Sequence, residues 1–434
     1  MVDRALLRRD CSIPLQSLRI KSSYDSRCYL PLKSVARWID HAAYLGVRHL
    51  HFWLEAPTAA EICPNIFSIR SIESLRVETS GIGCYIYFAT HKALIPPDIV
   101  STSLKSLCLW LNIDSPELTR LIRGLPVLEY LELRGVEQII IDISSPSVRT
   151  LKLQCKSSKM MKLCFPKLDF LYLECEVNNL EMFQGEMPLV TKADFRLMSS
   201  GEVHVLILES MLKSIANALE LNLSIETSVH FERTYLRCCE MQLSFPRLEC
   251  FKFSCSMCFL KLFQAEMPML RKVDIHLSDA KEEFVPLVSS FLKCIANVMY
   301  MKLAIQDDRA QLKPFHILDS NKKPPLFTHL LCLELSTSCH EATIEDTISL
   351  LENCPVLNCL EMNHKDPDIC YKKDKKKKKF WQSKLPRNSK GNYQHACFMD
   401  LHIKNEKSRV IELLSRRLTP KKRKIGEVAT VNSN

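Results

Sequence analysis

A short pattern of apolar and polar positions, apolar-x-x-apolar-x-apolar, recurs along most of the chain. Clear copies begin at Leu104, Leu128, Val148 and Leu168, and each ends in an alternation of apolar and other residues. This period of two is typical of a β-strand with one buried face. The pattern therefore predicts a series of short strands whose apolar side chains point inward and whose intervening residues face outward.

The spacing of these copies predicts how the strands are assembled. Successive copies follow at intervals of 20 to 32 residues, and leucine-rich repeats have periods of about 20–29. The middle apolar residue of each copy, which we call its anchor, is in chain order Leu18, Leu50, Leu75, Leu107, Leu131, Leu151, Leu171, Ala193, Leu221, Phe251, Val273, Met301, Leu331 (in a shifted register) and Leu360. A single unit cannot bury its apolar face alone, so neighbouring units stack. We therefore predict an α/β leucine-rich-repeat solenoid, with a parallel concave sheet and helices on the convex side.

Several segments between the strands have apolar residues at helical spacing. The first such set ends at Gly46, which is a suitable residue for a helix C-terminus. Two others end before Pro126 and Pro355. The three sets are Val35, Trp38, Ile39, Ala42 and Leu45; Leu118, Leu121, Ile122 and Leu125; and Ile344, Ile348, Leu351 and Cys354.

Part of the repeat region is duplicated. Residues 165–225 align without gaps with residues 245–305, and roughly 23 of the 61 aligned positions are identical. We expect residues 1–365 to form one solenoid that contains this duplication. A basic linker, expected to be disordered, should follow over 366–396, and a short C-terminal segment with a basic tail over 397–434.

Composition narrows the classes of function. The chain has 9 glycines in 434 residues and no glycine-rich phosphate loop, which argues against a nucleotide-binding enzyme. We expect no secretory signal and no membrane span, because no apolar stretch is long enough. The 20 cysteines are then expected to be free thiols in a reducing compartment.

One cysteine spacing imitates a metal site. Cys250, Cys255 and Cys258 have the spacing of a plant-type iron–sulfur motif. Their counterparts in the other copy of the duplication are Phe170, Cys175 and Asn178. A ligand set in only one copy is not expected, so the pattern favours buried thiols over a cluster.

Other candidate ligands are no stronger. Cys354, Cys359, His364 and Cys370 could imitate a zinc set, but Cys359 belongs to a predicted strand. His49 and His51 lie on the same face of a predicted strand, but the sequence places no third metal ligand near them. They are therefore expected to be exposed histidines of a binding face. No residue stands in a recognisable nucleophile context. We therefore expect no metal, no cofactor and no catalytic residue, and a protein that is not an enzyme.

The outward-facing strand positions carry the best candidates for partner contact. Aromatic residues and arginine are enriched where proteins bind each other tightly. The alternative is that loops cover some of these side chains. The candidates are Trp53, Trp110, Tyr130, Arg134, Phe170 and Tyr172.

The positive charge of the chain is concentrated at its C-terminal end. Residues from Cys370 onward contain 19 Lys and Arg against 5 Asp and Glu. This excess is larger than the net charge of +10 of the whole chain, so the residues before Cys370 carry no positive excess. Short basic runs are typical of nuclear import signals or nucleic-acid patches, and a solvated linker is the plain alternative. The import candidates are Lys375, Lys376, Lys377, Lys378 and Lys379, and Lys421, Lys422, Arg423 and Lys424. They predict a nuclear protein, with a cytoplasmic pool left open, that binds an importin-type receptor.

Two longer segments resemble the plant F-box/leucine-rich-repeat family, including its FBD-type members. They are Gly124-Leu-Pro-Val-Leu-Glu-Tyr-Leu-Glu-Leu133 and Asn353-Cys-Pro-Val-Leu-Asn-Cys-Leu-Glu-Met362. Trp38 to Ala43, followed by Gly46 to Leu50, is similar to the first helix and strand of that family's repeat domain. The resemblance covers about residues 13 to 365.

The resemblance implies a role in protein recognition. Family members hold a protein substrate on the repeats, while an F-box docks on a Skp-type adaptor and a cullin-based ubiquitin ligase. Too few residues precede Ile13 to form an F-box, so the adaptor and cullin are expected partners only if an F-box is supplied upstream of Met1. The alternatives are a nuclear interaction scaffold with no ligase link and a protein that binds nucleic acid through its basic tail.

Overall fold

The computed structural model describes 15 stretches of the chain. They are residues 13, 15–21, 32–54, 66–67, 69–79, 99–110, 115–136, 140–156, 158–199, 205–227, 241–278, 284–305, 325–337, 350–364 and 398–399. The chain divides into two compact units, residues 1–278 and 279–434. The predicted linker over 366–396 lies outside the described residues. The predicted segment over 397–434 is described only at 398–399.

The first unit contains sixteen strands and three α-helices among its described residues. The helices are α1 (Leu32–Tyr44), α2 (Ser115–Arg123) and α3 (Val205–Lys213), and a 3-10 helix covers Met257–Leu262. The strands are β1 (Ser17–Lys21), β2 (His49–Leu54), β3 (Ser74–Thr79), β4 (Ser106–Trp110), β5 (Tyr130–Val136), β6 (Ile140–Ser144), β7 (Thr150–Cys155), β8 (Met160–Cys164), β9 (Phe170–Glu176), β10 (Met182–Glu186), β11 (Lys192–Ser199), β12 (Glu220–Thr227), β13 (Met241–Ser244), β14 (Cys250–Ser256), β15 (Phe263–Glu266) and β16 (Lys272–Ser278).

A large parallel sheet forms the main layer of this unit. Its strand order is β1-β2-β3-β4-β5-β7-β9-β11-β12-β14-β16. The anchor residues lie side by side across it: Leu107 pairs with Leu131, Leu131 with Leu151, and Leu151 with Leu171. The α/β class and the parallel sheet expected from the sequence are therefore confirmed.

Alternation along each strand separates a core face from a polar face. On β9, Leu171, Leu173 and Cys175 are buried, whereas Phe170 and Tyr172 are half-buried on the other side. Because the strands are in register, the residues between the anchors form continuous lateral rows. We call the side that carries them the polar face.

The segments between main-sheet strands form a second layer of mixed type. Strands β6, β8 and β10 pair in parallel, and β13 pairs with β15. Helix α2 packs beside β6, and α3 packs beside β10 and β13. The expectation of helices throughout this layer is therefore wrong for the shortest repeats. Anchors 20 to 22 residues apart leave no room for an α-helix and its two connections, so a short extended strand lies there instead.

The longer repeats contain the predicted helices. Helix α1 buries Val35, Ile39 and Ala42 and ends at Tyr44. Gly46 follows in the turn, with a φ of 66° that glycine adopts without strain. Helix α2 buries Leu118, Leu121 and Ile122. The third predicted helical set is described only from residue 350 onward.

Apart from the helical residues 350–352, the second unit contains one α-helix and four parallel strands among its described residues. They are α4 (Val285–Cys294), β17 (Tyr300–Ile305), β18 (Cys332–Thr337), β19 (Cys359–His364) and β20 (Phe398–Met399), with the strand order β17-β18-β19-β20. Leu333 pairs with both Met301 and Leu360, so the shifted register assumed for Leu331 is wrong. In this repeat the pattern is Leu330-x-x-Leu333-x-Leu335, so the anchor is Leu333. All three leucines are buried.

Candidate protein-interaction surface

Five side chains from three neighbouring strands meet on the polar face of the first unit. They are Arg76 on β3, Trp110 on β4, and Tyr130, Glu132 and Arg134 on β5; we call them the Trp–Arg cluster. Register places them together, because Cys108 pairs with both Arg76 and Glu132 while Trp110 pairs with Arg134.

Trp110 lies between two guanidinium groups. The guanidinium carbon of Arg134 is 4.4 Å from the indole centroid, and that of Arg76 is 5.6 Å away. Each contact of this kind contributes about 0.5–1 kcal/mol at an exposed site. The two contacts fix the orientation of the ring and hold both arginine side chains against the sheet.

Glu132 anchors the cluster from beneath. Its side chain is 3% exposed, and its carboxylate accepts hydrogen bonds from the Tyr130 hydroxyl at 2.6 Å and from Arg134 Nε at 2.7 Å. Burial by itself would favour the neutral acid. The Tyr130 hydrogen bond and the charge of Arg134 outweigh it, so the pKa of Glu132 is below its ordinary value. The carboxylate therefore stays ionised at neutral pH.

Cys108 lies under the same cluster as a protonated thiol. Burial and the nearby charge of Glu132 raise its pKa to about 12. A thiol needs its thiolate form to act as a nucleophile, so this position is inert at neutral pH. Its contribution is to fill space between Arg76 and Glu132.

A polar network extends the surface toward β1. Arg19 Nε donates a hydrogen bond to His51 Nδ1 at 2.7 Å, and His51 Nε2 lies 3.6 Å from a Glu78 carboxylate oxygen. Glu78 also accepts a hydrogen bond from Arg76. Burial is the main reason that the pKa of His51 is lowered, so the ring is neutral at pH 7. Its Nδ1 can therefore accept the hydrogen bond from Arg19.

Trp53 completes this end of the surface. The ammonium group of Lys21 is 3.9 Å from its ring centroid. Trp53 and Trp110 therefore both lie against a cation from a neighbouring strand. Each ring presents apolar area beside a positive charge.

The surface continues toward β11 with a different charge character. Lys152 lies 5.6 Å from the Tyr130 ring centroid, and Gln154 donates a 2.6 Å hydrogen bond to Glu174. Tyr172 also donates to Glu174, and Arg196 is 5.4 Å from the Tyr172 ring. Burial and this hydrogen bond raise the pKa of Tyr172 to about 12.

The structure places all six predicted contact residues on the polar face, each of them half-buried. Trp110, Tyr130 and Arg134 come together in the cluster, Phe170 and Tyr172 share β9, and Trp53 lies on β2. The import candidates Lys375 to Lys379 and Lys421 to Lys424 lie outside the described residues.

Sequence reasoning missed the residues that connect the aromatic side chains. Arg76, Glu78 and Glu132 occupy the same outward strand positions as the predicted residues, two positions apart along a strand. That spacing is the signal that could have identified them. The sequence does not show that Glu78 and Glu132 are buried, because it does not show which residues of neighbouring strands lie beside them.

The first set of cysteine candidates does not converge on a metal site, and the second set includes Cys370, which lies outside the described residues. Cys250 lies on the polar face of β14, Cys255 is in the core, and Cys258 is in the 3-10 helix. Burial raises the pKa of the Cys255 thiol well above its ordinary value. Among the described residues no group of three or more His, Cys, Asp or Glu side chains could hold a metal ion.

No protein-family model, no curated protein and no solved structure matches this chain. Within the described ranges, none of the helices is both long and apolar enough to cross a membrane.

Proposed function

We propose that this protein is a non-enzymatic recognition module of the leucine-rich-repeat type that binds another protein through the polar face of its first unit. The Trp–Arg cluster is the observation that supports the proposal. Trp, Tyr and Arg are the residues that contribute most at protein interfaces, and here they occupy adjacent strands.

The rigidity of the cluster supports the same function. Glu132 and the indole of Trp110 hold Arg134 from two sides, and Glu78 and the same indole hold Arg76. A partner that binds here does not have to order these long side chains, each of which would otherwise cost about 0.5–1.5 kcal/mol. The surface is therefore preorganised for contact.

The resemblance to the plant F-box/leucine-rich-repeat family supports a more specific role. In that role the polar face holds the substrate of a Skp–cullin ubiquitin ligase. The ligase-independent alternative is a nuclear scaffold that uses the same face. Both depend on partner contact at the Trp–Arg cluster and differ in whether a Skp-type adaptor and a cullin accompany the protein.

Proximity labelling with the full chain tests the proposal. Trp110→Ala combined with Tyr130→Ala should remove most partners seen with the unchanged chain. Leu189→Ala combined with Leu206→Ala is a matched control, because both leucines are exposed apolar residues away from the polar face. Unchanged labelling by the cluster variant would refute the proposal. Recovery of a Skp-type adaptor and a cullin would favour the ligase role over the scaffold.

A further inference from the structure

The two arginines of the Trp–Arg cluster are each fixed along one edge only. Arg134 contacts Glu132 through Nε, and Arg76 contacts Glu78 through Nε. A guanidinium group carries five N–H donors, of which four are on the terminal nitrogens. Among the described residues, no carboxylate pairs with those terminal nitrogens of either arginine.

The carboxylates of this region are buried while its cations are exposed. The Glu78 and Glu132 side chains are 8% and 3% exposed, whereas those of Arg76 and Arg134 are 39% and 43% exposed. From β1 to β7, the outward positions of the main sheet carry five cations and only these two carboxylates. The five cations are Arg19, Lys21, Arg76, Arg134 and Lys152. An approaching molecule therefore meets a positive surface.

We propose that Arg76 and Arg134, on either side of Trp110, bind two carboxylates of an acidic segment of the partner protein. This inference rests on the proposed function. Arginine binds carboxylates with two parallel hydrogen bonds, and here the donors are already oriented by Glu78, Glu132 and the indole. The ring between them supplies apolar area for the segment that carries the two acids.

Two other occupants fit less well. The basic C-terminal end of this chain would be repelled, since from Cys370 onward 19 of its residues are Lys or Arg against 5 Asp or Glu. A nucleic acid needs a long basic track for its phosphates. Here the positive stretch ends at β9, where Glu174 and Glu176 face outward. An acidic peptide segment matches the short extent of the site.

Peptide selection with the full chain tests this inference. We expect the peptides selected from a random display library to be enriched in Asp and Glu. A selected peptide should lose about tenfold or more in affinity when its acids are changed to Gln or Asn, measured by fluorescence anisotropy. The Arg76→Lys, Arg134→Lys double variant should lose a similar factor, because lysine keeps the charge but not the paired donors.

The lysine variant also guards against misfolding, because it leaves both buried carboxylates with a cation. Lys167→Gln combined with Arg247→Gln is the control; it removes two charges from exposed turns and should leave binding unchanged. Selected peptides without acids, or full binding by the lysine variant, would overturn the inference and leave the proposed function intact. Equal competition by a single-stranded oligonucleotide would overturn the acidic-peptide assignment. Failure to select any peptide, together with unchanged proximity labelling by the Trp110→Ala, Tyr130→Ala variant, would overturn both this inference and the proposed function.

Discussion

Tyr130 has two roles that a single substitution can separate. Its ring faces Lys152 and its hydroxyl donates to buried Glu132. Tyr130→Phe keeps the ring and removes a hydrogen bond to a charged group, which should lower the free energy of unfolding by roughly 1.5–3 kcal/mol at pH 7. Urea unfolding of both proteins measures the loss. Tyr44→Phe, at a position that is 76% exposed, is the control and should change nothing.

The pH dependence of that loss follows from the pKa of Glu132. In the folded protein this pKa lies below its ordinary value. The ionised group therefore stabilises the fold at every pH above the ordinary carboxyl pKa, and the stabilisation is lost as pH falls through the lower pKa of the folded state. We therefore expect the stability difference between Tyr130→Phe and the unchanged protein to shrink in acid. A difference that is constant from pH 7 to pH 3 would contradict this.

The anchors allow a second test at the residue scale. Leu171 is fully buried between Leu151 and Ala193 of the neighbouring strands. Leu171→Ala should lower the free energy of unfolding by about 2–5 kcal/mol, because it leaves a cavity. Lys192→Ala, on an exposed position of the adjacent strand, should cost less than about 0.5 kcal/mol. Chemical denaturation would distinguish them, and equal losses would mean that the strand faces are reversed.

At the scale of the elements, apolar spacing predicted the strands better than it predicted what lies between them. The buried residues of one strand, such as Leu131 and Leu133, alternate with period two and are visible in any short window of sequence. The choice between helix and strand opposite the sheet depends instead on repeat length. Ile140-Ile141-Asp142-Ile143 shows the alternation of a strand, but only four residues carry it. So short a pattern does not by itself distinguish a strand from a helix.

The candidate surface shows a similar limit. Trp110, Tyr130 and Arg134 could be read from their residue types and outward positions. The burial of Glu132 could not, because Cys108 and Lys152 beside it belong to other strands. Lateral neighbours on a parallel sheet are 20 or more residues apart, so local sequence does not reveal their contacts.

Close packing where helix α2 ends gives a prediction for this element. A Cβ added to Gly124 would overlap with the backbone carbonyl oxygen of Ile99, and the Gly124 carbonyl accepts a 2.9 Å hydrogen bond from the Ser101 amide. Gly124→Ala should therefore lower stability by roughly 1–3 kcal/mol or more, because backbone must move. Arg123→Ala, at the exposed neighbouring position, is the control. Equal melting temperatures for the two variants would show that this contact is not required.

At the scale of the whole molecule, targeting and recognition should be separable. We propose that the basic runs direct the protein to the nucleus, since they need only an extended segment to be read. Changing Lys421 to Lys424 and Lys375 to Lys379 to Ala should move a fluorescent fusion out of the nucleus and leave thermal stability unchanged. A fusion that stays fully nuclear would refute the import role.

The reverse experiment uses the Trp–Arg cluster. Trp110→Ala combined with Tyr130→Ala should keep the fusion nuclear while partners are lost. Loss of the same partners in the basic-run variant would show instead that binding depends on the tail.

The pairing of β5, β7 and β9 together with β6, β8 and β10 has a consequence for how this protein can change in length. Removing residues 150–169 would delete one strand from each sheet and bring β5 next to β9 and β6 next to β10, with the leucine anchors still aligned. Inserting a second copy of the same 20 residues would do the opposite. Whole repeats can therefore be excised or added without a shift in register, whereas the deletion of a single residue within a strand would turn polar side chains into the core.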